Sequence, residues 1–201
     1  MLIAFEGPDE VGKSTSAKAL TSFDEPVYNA TKTNHAALSM AVRNPPEGEA
    51  DIVGTFDRID WFSHMVYRLA LPTHEWNDDR PRTVFAMPDT HLVLKMHQPG
   101  SIIEAPDEPG YNPEKVAAAN EMYYYQVDFL MALNRLKGYA LFKTVSIVEV
   151  VNNQQAGTFS QQLVAFDSPT NGHTRDMLLH RLVDSDQSLL RFLREEDRKI
   201  G

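Results

Sequence analysis

The sequence predicts an α/β fold, a central and mostly parallel sheet of five strands flanked on both faces by helices. Three observations predict it. Short apolar or β-branched runs alternate along the chain with longer segments of helical periodicity, the signature of βαβ units. The first apolar run ends in a glycine-bounded loop that opens directly into a helical segment. The length of 201 residues suits one core, so residues 1–201 read as a single domain.

Leu2–Phe5 is apolar throughout and stops at Gly7-Pro8, which marks a buried strand entering a loop. Lys13–Phe23 places Ala17 and Leu20 on one helical face. Pro26-Val27-Tyr28 is a short second strand. Asn34–Arg43 carries Ala37, Leu38, Ala41 and Val42 at helical spacing and is ended by Asn44-Pro45-Pro46. Asp51–Phe56 is the third strand. Arg58–Leu71, with Ile59, Phe62, Met65, Val66 and Leu69 in phase, is a helix closed by Pro72. His91–Met96 is the fourth strand, and residues 97–113, rich in Pro, Gly and acid, form a lid-like loop. Glu114–Lys137 is the longest helical pattern, closed by Gly138. Thr144–Val151 is a β-branched fifth strand. Residues 152–171 are polar and carry no clear period. Thr174–Lys199 reads as a final helix with Leu178, Leu179, Leu182, Leu189, Leu190 and Leu193 on its apolar face.

Nineteen Lys and Arg against 28 Asp and Glu give a formal charge of −9. Broad duplex binding needs clustered cations to displace counterions, so this acidity argues against it, although a DNA acceptor held at one focused site stays open. The absence of cysteine excludes disulfides, thiolate metal sites and a Cys nucleophile. No apolar run approaches the roughly 18 residues of a membrane span, and the N-terminus lacks a basic segment ahead of an apolar one. A cytoplasmic protein without membrane attachment is expected. Whether two copies pair as a homodimer is left open.

In parallel sheets ligands sit outside the carboxyl ends of the strands, so polar residues just after each strand carry the functional signal. After the first strand, Gly7-Pro8-Asp9-Glu10-Val11-Gly12-Lys13-Ser14 fits G-x-x-x-x-G-K-[ST], and Thr15 follows. Glycines let backbone amides curl round phosphates, the helix start adds its dipole, Lys13 reaches the β and γ phosphates, and the Ser14 hydroxyl can ligate Mg²⁺.

The run Phe5-Glu6-Gly7-Pro8-Asp9-Glu10-Val11-Gly12-Lys13-Ser14-Thr15 resembles the phosphate loop of thymidylate kinases, which in many members reads F-E-G-x-D-x-x-G-K-S-T. Asp57-Arg58, behind the third strand, is similar to that family's Asp-Arg pair, at a shorter distance from the loop than usual. The resemblance implies the three-layer P-loop NTPase fold, ATP and Mg²⁺ as cofactors, and a nucleotide acceptor. It implies that residues 7–15 hold ATP, that Lys13, Asp57 and Arg58 act in catalysis, and that Ser14 and Asp57 serve the metal. It further implies that Arg58 holds the acceptor phosphate and that Asp9 hydrogen-bonds a deoxyribose 3′-hydroxyl.

Thymidylate kinases usually set an arginine against the transferring phosphoryl, in the loop or in a lid. Here Glu10 and Val11 occupy the loop, and residues 96–114 contain Lys or Arg nowhere. Developing negative charge on the transferring group needs a cation. Arg80 and Arg82, between the Asp-Arg helix and the fourth strand, are the expected catalytic substitutes, with Lys95 and His97 as weaker candidates. Phe62 shares a helical face with Val66, which suits a core role, yet Trp61 or Phe62 could also supply an apolar slab for a base, and Phe62 is the substrate-binding candidate. Arg68 could face the same cleft. Tyr123, Tyr124 and Tyr125 lie about 100° apart on one helix and cannot all meet one ligand. The seven histidines show no metal-binding spacing.

The expected activity is transfer of the γ-phosphoryl of ATP to a deoxynucleoside monophosphate, dTMP-like. Two alternatives remain at this stage. One is a kinase of a hydroxyl acceptor, either a deoxynucleoside or a modified pyrimidine in DNA, with Glu6, Asp57 or Glu10 as base. The other is a nucleotide-binding protein without transferase activity.

Overall fold

The computed structural model describes residues 2–21, 27–29, 54–75, 86–101, 110–134, 141–153, 158–167, 181–182 and 185–200. Its strands are β1 (Leu2–Glu6), β2 (Val27–Asn29), β3 (Gly54–Asp57), β4 (Met87–His97), β5 (Phe142–Asn153), β6 (Thr158–Asp167) and β7 (Arg181–Leu182). Its helices are α1 (Lys13–Leu20), α2 (Asp60–Ala70), α3 (Pro113–Asn134) and α4 (Asp186–Ile200). The helix expected at 34–43 lies outside the described residues.

The strands form one sheet in the order β2-β3-β1-β4-β5-β6-β7. The first five neighbours in that row pair in parallel, and β6 and β7 are added antiparallel. The five-stranded sheet expected from sequence is therefore corrected to one of seven strands among the described residues. The additional pair was hidden for a physical reason. In β6, Gln161 and Gln162 interrupt the apolar run, and a register shift between Ile147 and Val148 of β5 breaks the two-residue alternation opposite it.

Helices cover both faces, and β1 shows how its alternation divides the core. Leu2 and Ala4 join the cluster that includes Phe62, Val66, Tyr123, Val127 and Leu130 of α2 and α3. Ile3 and Phe5 join the other, with Ala17 and Leu20 of α1 and Leu189, Leu190, Phe192 and Leu193 of α4. β4 divides in the same way, with Leu92, Leu94 and Met96 on the first side and Val93 on the second. A fully buried side chain of this size contributes about 1.5–3 kcal/mol, so these alternating rows fix which face each helix covers.

Local signals set the helix starts. Asn112 accepts the Lys115 amide at 3.1 Å ahead of Pro113, whose fixed φ suits the first helical position of α3. At α4, Ser185 accepts the Ser188 amide and Ser188 accepts the Ser185 amide, both at 3.2 Å, a reciprocal cap. That cap starts the last helix at Asp186. The helix expected from residue 174 is thus corrected, since 181–182 pair with β6 and residues 174–180 lie outside the described set. No helix among the described residues is long and apolar enough to cross a membrane.

β1 lies between β3 and β4: the chain runs from β1 to β2 and β3 on one side of it and then crosses to β4 and β5 on the other. The loop after β1 therefore opens at the point where the strand order reverses, the place where an α/β sheet leaves a crevice.

Candidate functional site

The loop from Gly7 to Gly12 is shaped by backbone that few other residues tolerate. Gly7 has φ 142°, and a Cβ there would collide with the carbonyl oxygen of Lys95 on β4. Gly12 has φ 74° and is the residue from which α1 starts. Glu10, with φ 64°, adds a second left-handed turn inside the loop. These turns fold the loop back over the start of α1, whose first amides have no partners within the helix.

Lys13 begins α1 with its side chain tucked under the loop, where Nζ donates to the Pro8 carbonyl oxygen. Burial pushes its pKa down to about 7, and the Arg58 charge adds to that, against the attraction of Asp9, Glu6 and Asp57. Beside it, the Ser14 hydroxyl donates to Asp57 Oδ2 at 2.5 Å, and Asn29 Nδ2 reaches the same oxygen at 3.4 Å. Asp57 closes β3 and Asn29 closes β2, so both come from carboxyl ends of adjacent parallel strands.

Arg58 adopts φ 78°, an unusual value for a side chain with a Cβ and one that costs about 1 kcal/mol or more. Its amide donates to the Phe5 carbonyl at 2.9 Å. Its guanidinium donates through Nη1 to the Gly7 carbonyl at 3.2 Å and through Nη2 to Asp9, and lies 5.4 Å from the Tyr67 ring centre. Burial opposes its charge, yet Tyr67, Tyr123, Glu6 and Asp9 together hold it more firmly protonated than an ordinary arginine.

These groups surround a cleft of 510 Å³ lined by residues 9, 10, 12–15, 29, 57, 58, 110 and 111. Gly7, Asp9, Glu10, Gly12, Lys13, Ser14, Thr15, Asp57 and Arg58 thus assemble at one place. Pro8 serves the loop through its carbonyl, and Val11 is wholly buried beneath it. Phe62 does not line the cleft. It is 0% exposed and meets Tyr123 edge-on, because its helical phase points it into the core beside Trp61. Arg68 is half-buried on α2 and is not among the lining residues. Arg80 and Arg82 lie outside the described residues, as does 102–109 of the lid-like loop.

Lys95 faces away from the cleft. Its Nζ donates to Ser16 Oγ at 2.6 Å and lies 3.7 Å from Asp186, tying α1 to α4 through the sheet. His97 supports the loop from below, with Nε2 2.9 Å from the Asp9 carbonyl oxygen, and its own backbone is clamped on both sides by the Asn120 amide. Burial lowers its pKa.

No protein-family model and no curated protein matches the chain.

Asn29, Gly110 and Tyr111 are lining residues that the sequence reading missed. Asn29 had a usable signal, since it directly follows the predicted strand at 26–28. Among the described residues no three His, Asp or Glu side chains converge as a metal cage. Ser14 and Asp57, in contact at one end of the cleft, are the pair that could hold Mg²⁺, which takes few protein ligands and keeps water and phosphate oxygens for the rest. The arrangement offers free helix amides, one buried ammonium and one fixed guanidinium to an anion, with a hydroxyl–carboxylate pair beside it.

Proposed function

We propose that this chain is a nucleotide kinase of the P-loop class, which moves the γ-phosphoryl of ATP onto a deoxynucleoside monophosphate. The observation that carries the reading is the convergence of Lys13, the Ser14–Asp57 pair and Arg58 on one cleft at the reversal point of a parallel sheet. Amides of the loop and Lys13 would bind the triphosphate, and Ser14 and Asp57 would hold Mg²⁺, which when bound neutralises charge on the phosphate oxygens. Arg58, fixed by Gly7 and Asp9, would align the acceptor phosphate. An acceptor oxygen then forms a bond to the γ-phosphorus as the bond to the ADP oxygen breaks, and ADP leaves with that electron pair.

An anionic acceptor asks less of the site than a hydroxyl. A hydroxyl needs a base within reach. Glu6 is wholly buried and surrounded by donors, and Asp57 is taken up by Ser14, which leaves Glu10, exposed in the cleft lining, as the base a hydroxyl acceptor would call on. A phosphate acceptor is already ionised near neutrality and needs no base.

The test is ADP release with Mg-ATP and an acceptor panel of deoxynucleosides, their 5′-monophosphates, and oligonucleotides carrying a hydroxymethyl pyrimidine. Stimulation by a monophosphate, yielding the diphosphate, is expected. Stimulation by nucleosides or oligonucleotides alone overturns the acceptor assignment, and ATP binding without turnover on any acceptor overturns the kinase reading.

A further inference from the structure

Glu6 occupies a position that the pattern of β1 reserves for an apolar residue. It continues the Leu2–Ala4 row into the core between α2 and α3, and it is 0% exposed. Its carboxylate gathers donors from both helices. The Ile59 amide reaches Oε1, the Ser63 hydroxyl lies 2.9 Å from both oxygens, and the Tyr123 hydroxyl donates to Oε2 at 2.8 Å. A buried carboxylate is costly unless it is hydrogen-bonded, and a leucine here would fill the space without that cost. Core packing alone does not account for this acid.

The neighbours of Glu6 show what it holds. Three successive residues of the chain grip Arg58 and the residue after it. The Phe5 carbonyl accepts the Arg58 amide, the Glu6 carboxylate accepts the Ile59 amide, and the Gly7 carbonyl accepts the Arg58 guanidinium. The peptide unit between Arg58 and Ile59 leaves directly from the residue held at the left-handed φ, so fixing its amide helps fix that backbone conformation. Loss of a strong acceptor on the Ile59 amide would remove one of the bonds that hold this backbone and would let Arg58 relax toward ordinary φ, shifting its guanidinium in the cleft. Ser63 and Tyr123 hold the carboxylate in turn, so the aim of Arg58 is referred to α2, α3 and the edge of the phosphate loop at once.

We infer that Glu6 is a positioning residue for Arg58: its buried carboxylate, fixed by Ser63 and Tyr123, locks the left-handed turn that points the guanidinium into the acceptor end of the cleft. The inference rests on the phosphoryl-transfer reading above. It places Glu6 outside the reacting atoms, as neither base nor metal ligand, and it ties the rate of the acceptor step to a side chain with no access to the cleft.

The experiment is a double-mutant cycle between Glu6→Gln and Arg58→Ala, with Mg-ATP and thymidine 5′-monophosphate, alongside binding of a non-hydrolysable ATP analogue. Glu6→Gln is expected to lower kcat/KM for the monophosphate by about tenfold or more while analogue affinity stays within about threefold. In the Arg58→Ala background the same substitution is expected to have no further effect on kcat/KM, because the residue it positions is gone. An equal loss in both backgrounds, or none in the wild type, overturns the inference. If Glu6→Gln does not fold, Tyr123→Phe, which removes one of the carboxylate's donors, runs the same cycle with the same criteria. If wild type transfers to no acceptor, the kinase reading falls separately. Arg58 positioning is then judged from unfolding, where Tm losses of the two substitutions smaller in combination than their sum support it and additive losses overturn it.

Discussion

Lys13 is held in the folded chain at a pKa of about 7 because its ammonium is buried under the loop and faces Arg58. Triphosphate oxygens arriving at the same spot would restore its charge, moving it back toward the ordinary value of 10.5. Binding must then draw a proton from solution. At pH 8 about one free Lys13 in eleven is charged, so uptake is about 0.9 proton per ATP. Between pH 7 and pH 9 the charged fraction falls from about one half to about one in a hundred, and affinity should fall about fiftyfold, or about 2.3 kcal/mol. Calorimetric titration in two buffers of different ionisation enthalpy reads the uptake directly. At pH 8 and above the terminal phosphate of ATP is itself ionised, so the proton belongs to the protein. Lys13→Arg keeps the charge at every pH and should show neither uptake nor slope, whatever its absolute affinity. Affinity that stays flat from pH 7 to 9 in wild type, with no buffer-dependent heat, would refute the reasoning.

Gly7→Ala should cost both the loop and the fold, since the new Cβ meets strand backbone at Lys95 that cannot yield; a Tm loss of about 2–10 °C and loss of ATP-analogue binding are expected. Asp57→Asn preserves the shape beside Ser14 but removes the charge, so the Mg²⁺ concentration needed for half-maximal turnover should rise about tenfold or more, while metal-free ATP binding should not weaken. Stability should fall as the pH drops from about 6.5 to about 4. Burial holds His91, between Thr144 and Asp197, at a pKa of about 4, so the unfolded chain binds the extra proton across that window, a loss of about 3 kcal/mol. In His91→Gln that part of the acid slope should disappear from denaturant unfolding measured at each pH.

The parallel half of the sheet was legible in the sequence because each strand there is a short apolar run beside a helix of clear period. Leu2–Phe5 and His91–Met96 are examples, and the structure extends the second to Met87–His97. The cleft residues at positions 9, 10, 12–15, 57 and 58 were legible for a different reason. Glycine spacing and strand-end placement are local, and local geometry is what a sequence encodes most directly. What failed was long-range. Phe62 was offered to a ligand because neighbouring aromatics on one helix look alike in sequence, whereas only its phase against α3 shows that it meets Tyr123. The surroundings of Glu6, one of three base candidates for a hydroxyl acceptor, were not legible either, because its donors arrive from residues 63 and 123, far along the chain. Tyr123, one of three adjacent tyrosines, is singled out by the same contact. Tyr124 turns instead to Glu149 and the His97 carbonyl, and Tyr125 to solvent.

The central claim is that one cleft binds ATP and passes its terminal phosphoryl to a nucleotide phosphate. The most direct measurement follows the label from γ-labelled ATP, with Mg²⁺ and a mixture of the four common deoxynucleoside 5′-monophosphates, in wild type and in Lys13→Ala. The account predicts label in the terminal phosphate of a deoxynucleoside diphosphate with wild type, and none above background with Lys13→Ala. Label found only in inorganic phosphate, or equal transfer by both proteins, would contradict it.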